Sequence, residues 1–380
     1  MSAHILSGAK IVTADGLRDG AAVAIENGLV REIGSGAKPS AKRVELEGGY
    51  LVPGFIDTQV NGGGGVLFND APTVETIDAI AQAHRRHGTS GLLPTLISDD
   101  FDTLRCGIEA VDAAIAAGVP GILGIHVEGP FISTERRGIH ADRFVRAPME
   151  AELELLARPS RGVKLVTLAP EAVPAGTIPR LRAAGVLVAA GHSTADYAAT
   201  QRALDEGLDG FTHLFNAMTP FGSREPGMVG AALEDRKSRF GIIVDGHHVH
   251  PASLRVALAA RGLDGAMLVT DAMPPAGTAM ARFELQGRTI MVADAALRGD
   301  DGKLAGSALT MDLALRNAIG MLGLSLADAS RLASANPASF LRMSARRGTI
   351  APGMVADLVH LDDALRVRRV WIAGRLHDYG

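Results

Sequence analysis

VKLVTLAPEAVPAGTIPRLRAAGVLVAAGHST, residues 163–194, holds two apolar runs separated by a segment of helical character. Each run has strand length, lacks strict polar–apolar alternation, and stops at polar or ionisable side chains. Strands that are apolar on both faces belong to a parallel sheet covered by helices. The pattern repeats through the middle of the chain. LVPGFIDTQVNG (51–62), GLLPTLIS (91–98), ILGIHVEGP (122–130), GFTHLFNAM (210–218), FGIIVDGHHV (240–249) and AMLVTDAM (266–273) bring the set to eight. Helical sequence such as TVETIDAIAQAHRRHG (73–88) lies between most of them. Eight such units predict an α/β chain folded as a (β/α)8 TIM-like barrel, with its site at the carboxyl ends of the strands. An open doubly wound sheet is the competing architecture. No GxGxxG or GxxxxGK(S/T) follows the first run, which argues against its nucleotide-binding version.

The two ends of the chain read differently. HILSGAKIVT (4–13), AAVAIENG (21–28) and LVREIGSG (29–36) are short strands divided by turn residues, with Asn27-Gly28 a hairpin signal. GTIAPGMVADLVHL (348–361) and VRRVWIAGR (367–375) have the same character. Neither end is long enough to stand alone. They are expected to meet as a small β-sandwich domain, residues 1–52 plus 346–380, bracketing a hydrolase barrel at 53–345.

Nearly half of the 380 residues are apolar, enough for a sizeable core, and a net charge of −4 with mixed signs gives no case for nucleic acid or an anionic membrane surface. The single cysteine, Cys106, excludes an internal disulfide framework and fits a reducing compartment. The start, MSAHILSG, lacks a basic region followed by an apolar core, and no apolar run reaches the length of a membrane helix. A soluble cytoplasmic protein is expected.

Glu128, His192 and His213 each end a different expected strand, and a barrel gathers strand ends around one mouth. Two imidazoles and a carboxylate suit zinc or ferrous iron with a position left for water. His126, two before Glu128, shares its strand face at greater depth and reads as core in preference to a residue supporting the site from behind. Asp271 ends the eighth run, where a carboxylate can take a proton from water and return it to a leaving group. GFIDTQVNGGGG (54–65) places Asp57, Gln59 and Asn61 at alternating positions before four glycines. By itself it is open between a phosphate cradle, the remnant of a metal site, and a tight turn.

Taken as a set, HVEGPF (126–131), RGIH (137–140), AGHS (190–193), THLFNAM (212–218), REPG (224–227) and VTDAM (269–273) resemble the N-acetylglucosamine-6-phosphate deacetylase family of the amidohydrolase superfamily. The resemblance runs over essentially the whole chain. It implies one divalent metal, zinc or iron first and manganese or cobalt next, on Glu128, His192 and His213. It implies Asp271 as general base and then acid, and His140 as the group that polarises the acetyl carbonyl. It further implies sugar and phosphate contacts from Asn216, Ala217, Arg224 and His248, although the sequence leaves His247, His248 and His250 open as the inward-facing one. A homodimer, since in relatives the phosphate site can draw on a neighbouring subunit, and a role in amino-sugar catabolism and cell-wall sugar recycling, also follow from the resemblance; whether the two subunits share that site here stays open. Superfamily members often carry His-x-His after the first strand for a second metal. Gln59 and Asn61 stand there instead, and amides are poor ligands for zinc or iron, so a single-metal enzyme is expected, with Gln59 and Asn61 as support and the glycines as room for substrate. Asp57 either supports the site or merely ends the strand. A cyclic-amide hydrolase would need that His-x-His and a lysine at the end of the fourth strand. Lys164 lies at its beginning. A non-catalytic scaffold would have no reason to keep Glu128, His192, His213 and Asp271. The Gly-rich, turn-rich stretch 276–304, which contains FELQGRTIMVADAALRGDDGKL (283–304), reads as a β-hairpin above the mouth, either a lid or a rigid surface feature.

Overall fold

The computed structural model describes residues 3–34, 42–293 and 296–378. Residues 35 and 36 of the third expected strand and 294 and 295 of the mouth segment lie outside them. Eight parallel strands form one sheet: β1 (Phe55–Val60), β2 (Thr89–Ile97), β3 (Gly124–Glu128), β4 (Val163–Leu168), β5 (Leu187–Ala190), β6 (Gly210–Phe211), β7 (Arg239–Ile242) and β8 (Ala266–Leu268), in sequence order across the sheet. The ring closes at its carboxyl end, where Val60 bridges Ala272 in parallel and the Asp271 amide donates to the Gln59 carbonyl at 3.0 Å. Each of the eight apolar runs supplies one strand. Helices such as Val74–Arg85, Phe101–Ala116 and Pro251–Arg261 cover the outside. Among the described residues, no helix is long and apolar enough to cross a membrane.

The barrel interior is layered. Ile56, Leu93, Leu123, Leu165, Leu187 and Met267 pack at the amino-terminal end against Phe340 and Leu341, which plug it from below. Truncating a buried phenylalanine of this kind typically costs about 3–5 kcal/mol. Above that layer His126 reaches Thr95 through Nδ1 at 3.3 Å and Thr167 through Nε2 at 2.7 Å, inside the barrel. Burial holds its pKa down at about 4, so it is a neutral, hydrogen-bonded core histidine.

The amino-terminal end forms one small sheet by itself, and both chain ends combine in a second. One has the strand order 29–34, 22–26, 4–7, 42–45; the other runs 375–378, 367–372, 358–361, 50–53, 10–13, 16–18. Leu6, Ile11, Val23, Ile25, Leu51, Leu358 and Trp371 form their common core, separate from that of the barrel.

The mouth segment is more than the expected hairpin. It is a four-stranded antiparallel sheet: β9 (Arg282–Leu285), β10 (Arg288–Ala293), β11 (Ala296–Arg298) and β12 (Leu304–Ser307). Phe283, Leu285, Ile290, Leu297 and Ala305 are buried in it against Leu67, Ile97 and Met273 of the barrel rim. An extra pair of strands supplies the apolar face that an isolated hairpin lacks.

Candidate active site

β3, β5 and β6 deliver Glu128, His192 and His213 to one point. His213 Nε2 lies 3.0 Å from Glu128 Oε1 and 2.9 Å from His192 Nε2, and His192 Nε2 lies 3.3 Å from the same carboxylate oxygen. All three side chains are buried. The backbone at His192 (φ +50°), His213 (+36°) and Asp271 (+51°) is left-handed. Such conformations cost of order 1–3 kcal/mol each in non-glycine residues and collect at functional sites. Here the turn swings each side chain off its strand and into the mouth.

Electrostatics tie the group together. Burial disfavours charge on Glu128, yet the His192 and His213 rings against its carboxylate outweigh it and hold the carboxyl well below its usual range. Burial likewise opposes charge on His213, and the Glu128 hydrogen bond reverses the sign and raises its pKa. His192 Nδ1 donates to the Arg136 carbonyl at 2.9 Å, which leaves the Nε2 lone pair facing the centre. Donors about 2.1 Å from one ion and roughly at right or tetrahedral angles sit about 3.0–3.4 Å from each other. The observed separations match, so Glu128, His192 and His213 fit a divalent metal.

His140 stands beside this group, its ring centroid 4.6 Å from that of His192, and Glu128, His140 and His192 also lie close enough to share an ion. Hydrogen bonding favours the first set over the second. The backbone N–H of Ser98, which can only donate, points at His140 Nδ1 from 3.2 Å, and Ser98 Oγ lies 2.8 Å from the same nitrogen. Nδ1 is therefore an acceptor, and burial, followed by the neighbouring His192, keeps the ring neutral, with a pKa of about 3. The one ring proton sits on Nε2, which makes His140 a donor there rather than a ligand.

Asp271 faces the cavity, its carboxyl pushed up to about 6 by burial and by the Glu128 charge. Two amides hold it. Gln59 Nε2 donates to Glu128 Oε1 at 3.0 Å and to Asp271 Oδ1 at 3.1 Å, and Asn61 Nδ2 donates to Asp271 Oδ1 at 2.7 Å. N–H donors thus occupy the space where a second cation would have to approach these carboxylates. Lys164 lies at the far end of the barrel, donating to the Arg158 carbonyl.

Asp57 is fully buried and joins the first strand to the last. It accepts from the Thr270 hydroxyl at 2.5 Å, the Thr270 N–H at 3.3 Å and the Gln59 N–H at 3.2 Å. Burial raises its pKa to about 7. An acid with a raised folded pKa costs nothing below about pH 4. The cost grows as pH climbs towards 7, because the unfolded chain releases a proton that the folded chain retains. Asp57→Asn keeps an oxygen acceptor and removes the charge. Its Tm relative to wild type is expected to rise between pH 5 and pH 8, and a difference that is flat with pH would overturn this.

The cavity measures about 170 Å³ and is lined by Glu128, His140, His192, His213, Asp271, Asn61, Asn216, Ala217 and His248, with Ile97, Met273 and Leu304 on its apolar side. His248 is the inward-facing member of its trio; its Nδ1 donates to Asp245 Oδ2 at 2.6 Å, leaving Nε2 for the cavity. His247 is exposed, and His250 accepts from the Ala252 amide at the start of a helix. Arg224 is exposed on the loop after β6 and does not line the cavity. The glycines of 62–65 correct an expectation, because none lines the cavity. A Cβ on Gly62 would sit 2.4 Å from the Val66 carbonyl oxygen and one on Gly63 2.6 Å from His84 Nε2. Their smallness serves close backbone packing. Ser98, Met273, Leu304 and Gln286 lie in stretches quoted from the sequence but were not singled out there, since none is ionisable. Gln286 did leave one signal, a Gln-Gly pair in a hairpin position that usually takes Asn-Gly.

Residues 50–377 match the model of the amidohydrolase family. The chain is 44% identical to an N-acetylgalactosamine-6-phosphate deacetylase of Shewanella sp. (strain ANA-3), across 98% of this chain and 95% of that protein. It is 38% identical to the human N-acetylglucosamine-6-phosphate deacetylase, across 88% and 85%. The crystal structure of N-acetylglucosamine-6-phosphate deacetylase from Pasteurella multocida superposes with a TM-score of 0.96 at 30% identity, covering 99% of this chain and all of that one.

Proposed function

The chain belongs to the amidohydrolase family, among its hexosamine 6-phosphate deacetylases, and from that premise we propose that it hydrolyses the acetamide of N-acetylglucosamine 6-phosphate to acetate and glucosamine 6-phosphate. The observation that carries the reading is one cavity holding a buried Glu/His/His group, a carboxyl poised near pH 6 and a neutral imidazole with its N–H on Nε2.

One divalent ion held by Glu128, His192 and His213 would supply Lewis acidity, acidifying water and polarising the acetyl oxygen. Asp271 takes a proton from the attacking water as its oxygen bonds to the acetyl carbon. The His140 Nε2–H donates to the developing oxyanion, a contact worth about 3–4 kcal/mol when placed in advance. Asp271 then returns its proton to the nitrogen as the C–N bond breaks, releasing amine and acetate. Gln59 and Asn61 hold the Asp271 carboxylate in place through both transfers. Asn216, Ala217 and His248 contact the sugar phosphate. Arg224, exposed outside its own cavity, reaches the phosphate across a homodimer contact, its planar fork matching two phosphate oxygens. A cytoplasmic place in amino-sugar catabolism and cell-wall sugar recycling accompanies this reading.

A second reading, the galactosamine epimer, is favoured by the 44% identity to the Shewanella protein. The two substrates differ only in the configuration at C4. An acetate-release assay on both N-acetylhexosamine 6-phosphates, and on both sugars without phosphate, decides. Preference for the glucosamine form is expected, preference for the galactosamine form selects the second reading, and no release from either phosphorylated sugar sinks both. In the same assay Arg224→Ala is expected to lose about 10²-fold or more in kcat/KM on the phosphorylated sugar, the scale of a lost charge-assisted hydrogen bond pair, and little on the unphosphorylated one. Equal losses on the two would remove Arg224 from phosphate binding.

A further inference from the structure

The loop carrying His140 and the sheet over the barrel mouth meet at one side chain, Gln286. It occupies the first of two turn residues between β9 and β10, with φ +49° followed by +85° at Gly287. Two successive positive φ values suit a two-residue hairpin but seldom accept glutamine. The side chain reaches away from its own sheet. Its Oε1 accepts from the Ala141 amide at 3.2 Å, and its Nε2 donates to the Ser98 carbonyl at 2.9 Å and, at 3.4 Å, to Asp99 Oδ2. Ser98 and Ala141 are the residues that flank His140 in space and in sequence, and among the described residues Ser98 alone fixes its Nδ1.

The opposite edge of the same sheet holds the other reacting group. The Ser307 amide of β12 donates to the Asp271 carbonyl at 2.9 Å, and the Met273 amide donates to the Ser307 carbonyl at 2.9 Å. One packed sheet therefore spans the mouth between the Asp271 backbone and the His140 loop. Of the two donors on His140 Nδ1, only the Ser98 N–H specifies a tautomer, because the Ser98 hydroxyl can either donate or accept. If the Ser98 peptide shifts, the alternative neutral ring becomes accessible, with its proton on Nδ1 and a lone pair on Nε2 where the oxyanion needs a donor.

Resting on the deacetylase reading above, we propose that Gln286 is a positioning residue, whose amide clamps Ser98 and Ala141 so that His140 keeps its proton on Nε2 and aims it into the cavity. The test is a double-mutant cycle with Gln286→Ala and His140→Asn. Gln286→Ala is expected to lower kcat about 10–100-fold, the usual cost of removing a partner that orients a functional side chain. KM should stay within about threefold and metal content should not change. In the His140→Asn background the same change should cost less than about twofold, since residues acting as a unit are not additive. Equal losses in both backgrounds, or no loss in the first, overturn the proposal. Gln286→Glu keeps the turn and the acceptor for Ala141 but sets a carboxylate against the Ser98 carbonyl; it too should lose kcat, and wild-type turnover would count against the clamp.

A second arm needs no substrate. In ¹⁵N-histidine-labelled protein, the His140 resonances, identified by their loss in His140→Asn, should show an unprotonated Nδ1 in the wild type. In Gln286→Ala they should move towards an average of the two tautomers, and unchanged resonances overturn the proposal. Should the wild type release no acetate from any phosphorylated N-acetylhexosamine, the deacetylase reading fails while this arm still decides what Gln286 does.

Discussion

Asp271→Asn is expected to keep its fold and its metal and to lose about 10³–10⁴-fold in kcat, the scale of a positioned general base and acid. The substitution is close to isosteric. An Asn oxygen at the Oδ1 position still accepts from Gln59 Nε2 and Asn61 Nδ2, so the hydrogen bonds that seat residue 271 survive. The backbone survives as well, its amide on the Gln59 carbonyl and its carbonyl on the Ser307 amide. Only the capacity to take up and return a proton is lost. Metal content by elemental analysis and kcat on the preferred sugar phosphate check both halves, and near-normal turnover would remove Asp271 from the mechanism.

Metal removal should have an effect of similar size. Dialysis against a chelator is expected to lower turnover by about 10³-fold or more, given the Lewis acidity and water activation assigned to the ion. Zinc, ferrous iron, manganese or cobalt should restore it, because a carboxylate with two imidazoles accepts all four. Elemental analysis of the reconstituted protein should find about one ion per chain. Two would contradict the geometry around Gln59 and Asn61, whose N–H groups point at Glu128 and Asp271. An ion there would face amide hydrogens rather than lone pairs. Undiminished turnover after complete removal would exclude the Glu128, His192 and His213 group from the chemistry.

The eight barrel strands were legible because a buried parallel strand writes itself as a continuous apolar run, and the chain repeats that run with helical sequence between. The polar residues at the run ends were legible for the same reason, since little else in such a strand is ionisable. The mouth segment was only half legible. FELQGRT gives a hairpin, but the pairing of β11 and β12 with it, and its packing on Ile97 and Met273, depend on residues far apart in the chain. The glycines after Asn61 were misread because a run of glycine records only that backbone approaches something closely. It does not say whether that is a ligand, the Val66 carbonyl or the His84 ring.

By itself the sequence determined the barrel, the joining of the two β-rich ends, and which residue types stand at the strand ends, since each follows from local hydrophobic pattern and chain order. Tertiary structure alone decided which lone pair or proton each of those residues presents. His192 and His140 are both histidines near the carboxyl end of the barrel. One donates Nδ1–H to the Arg136 carbonyl and so offers a lone pair at Nε2; the other accepts from the Ser98 amide at Nδ1 and so offers a proton. No pattern along the chain encodes that difference, because it is set by backbone groups 56 and 42 residues away.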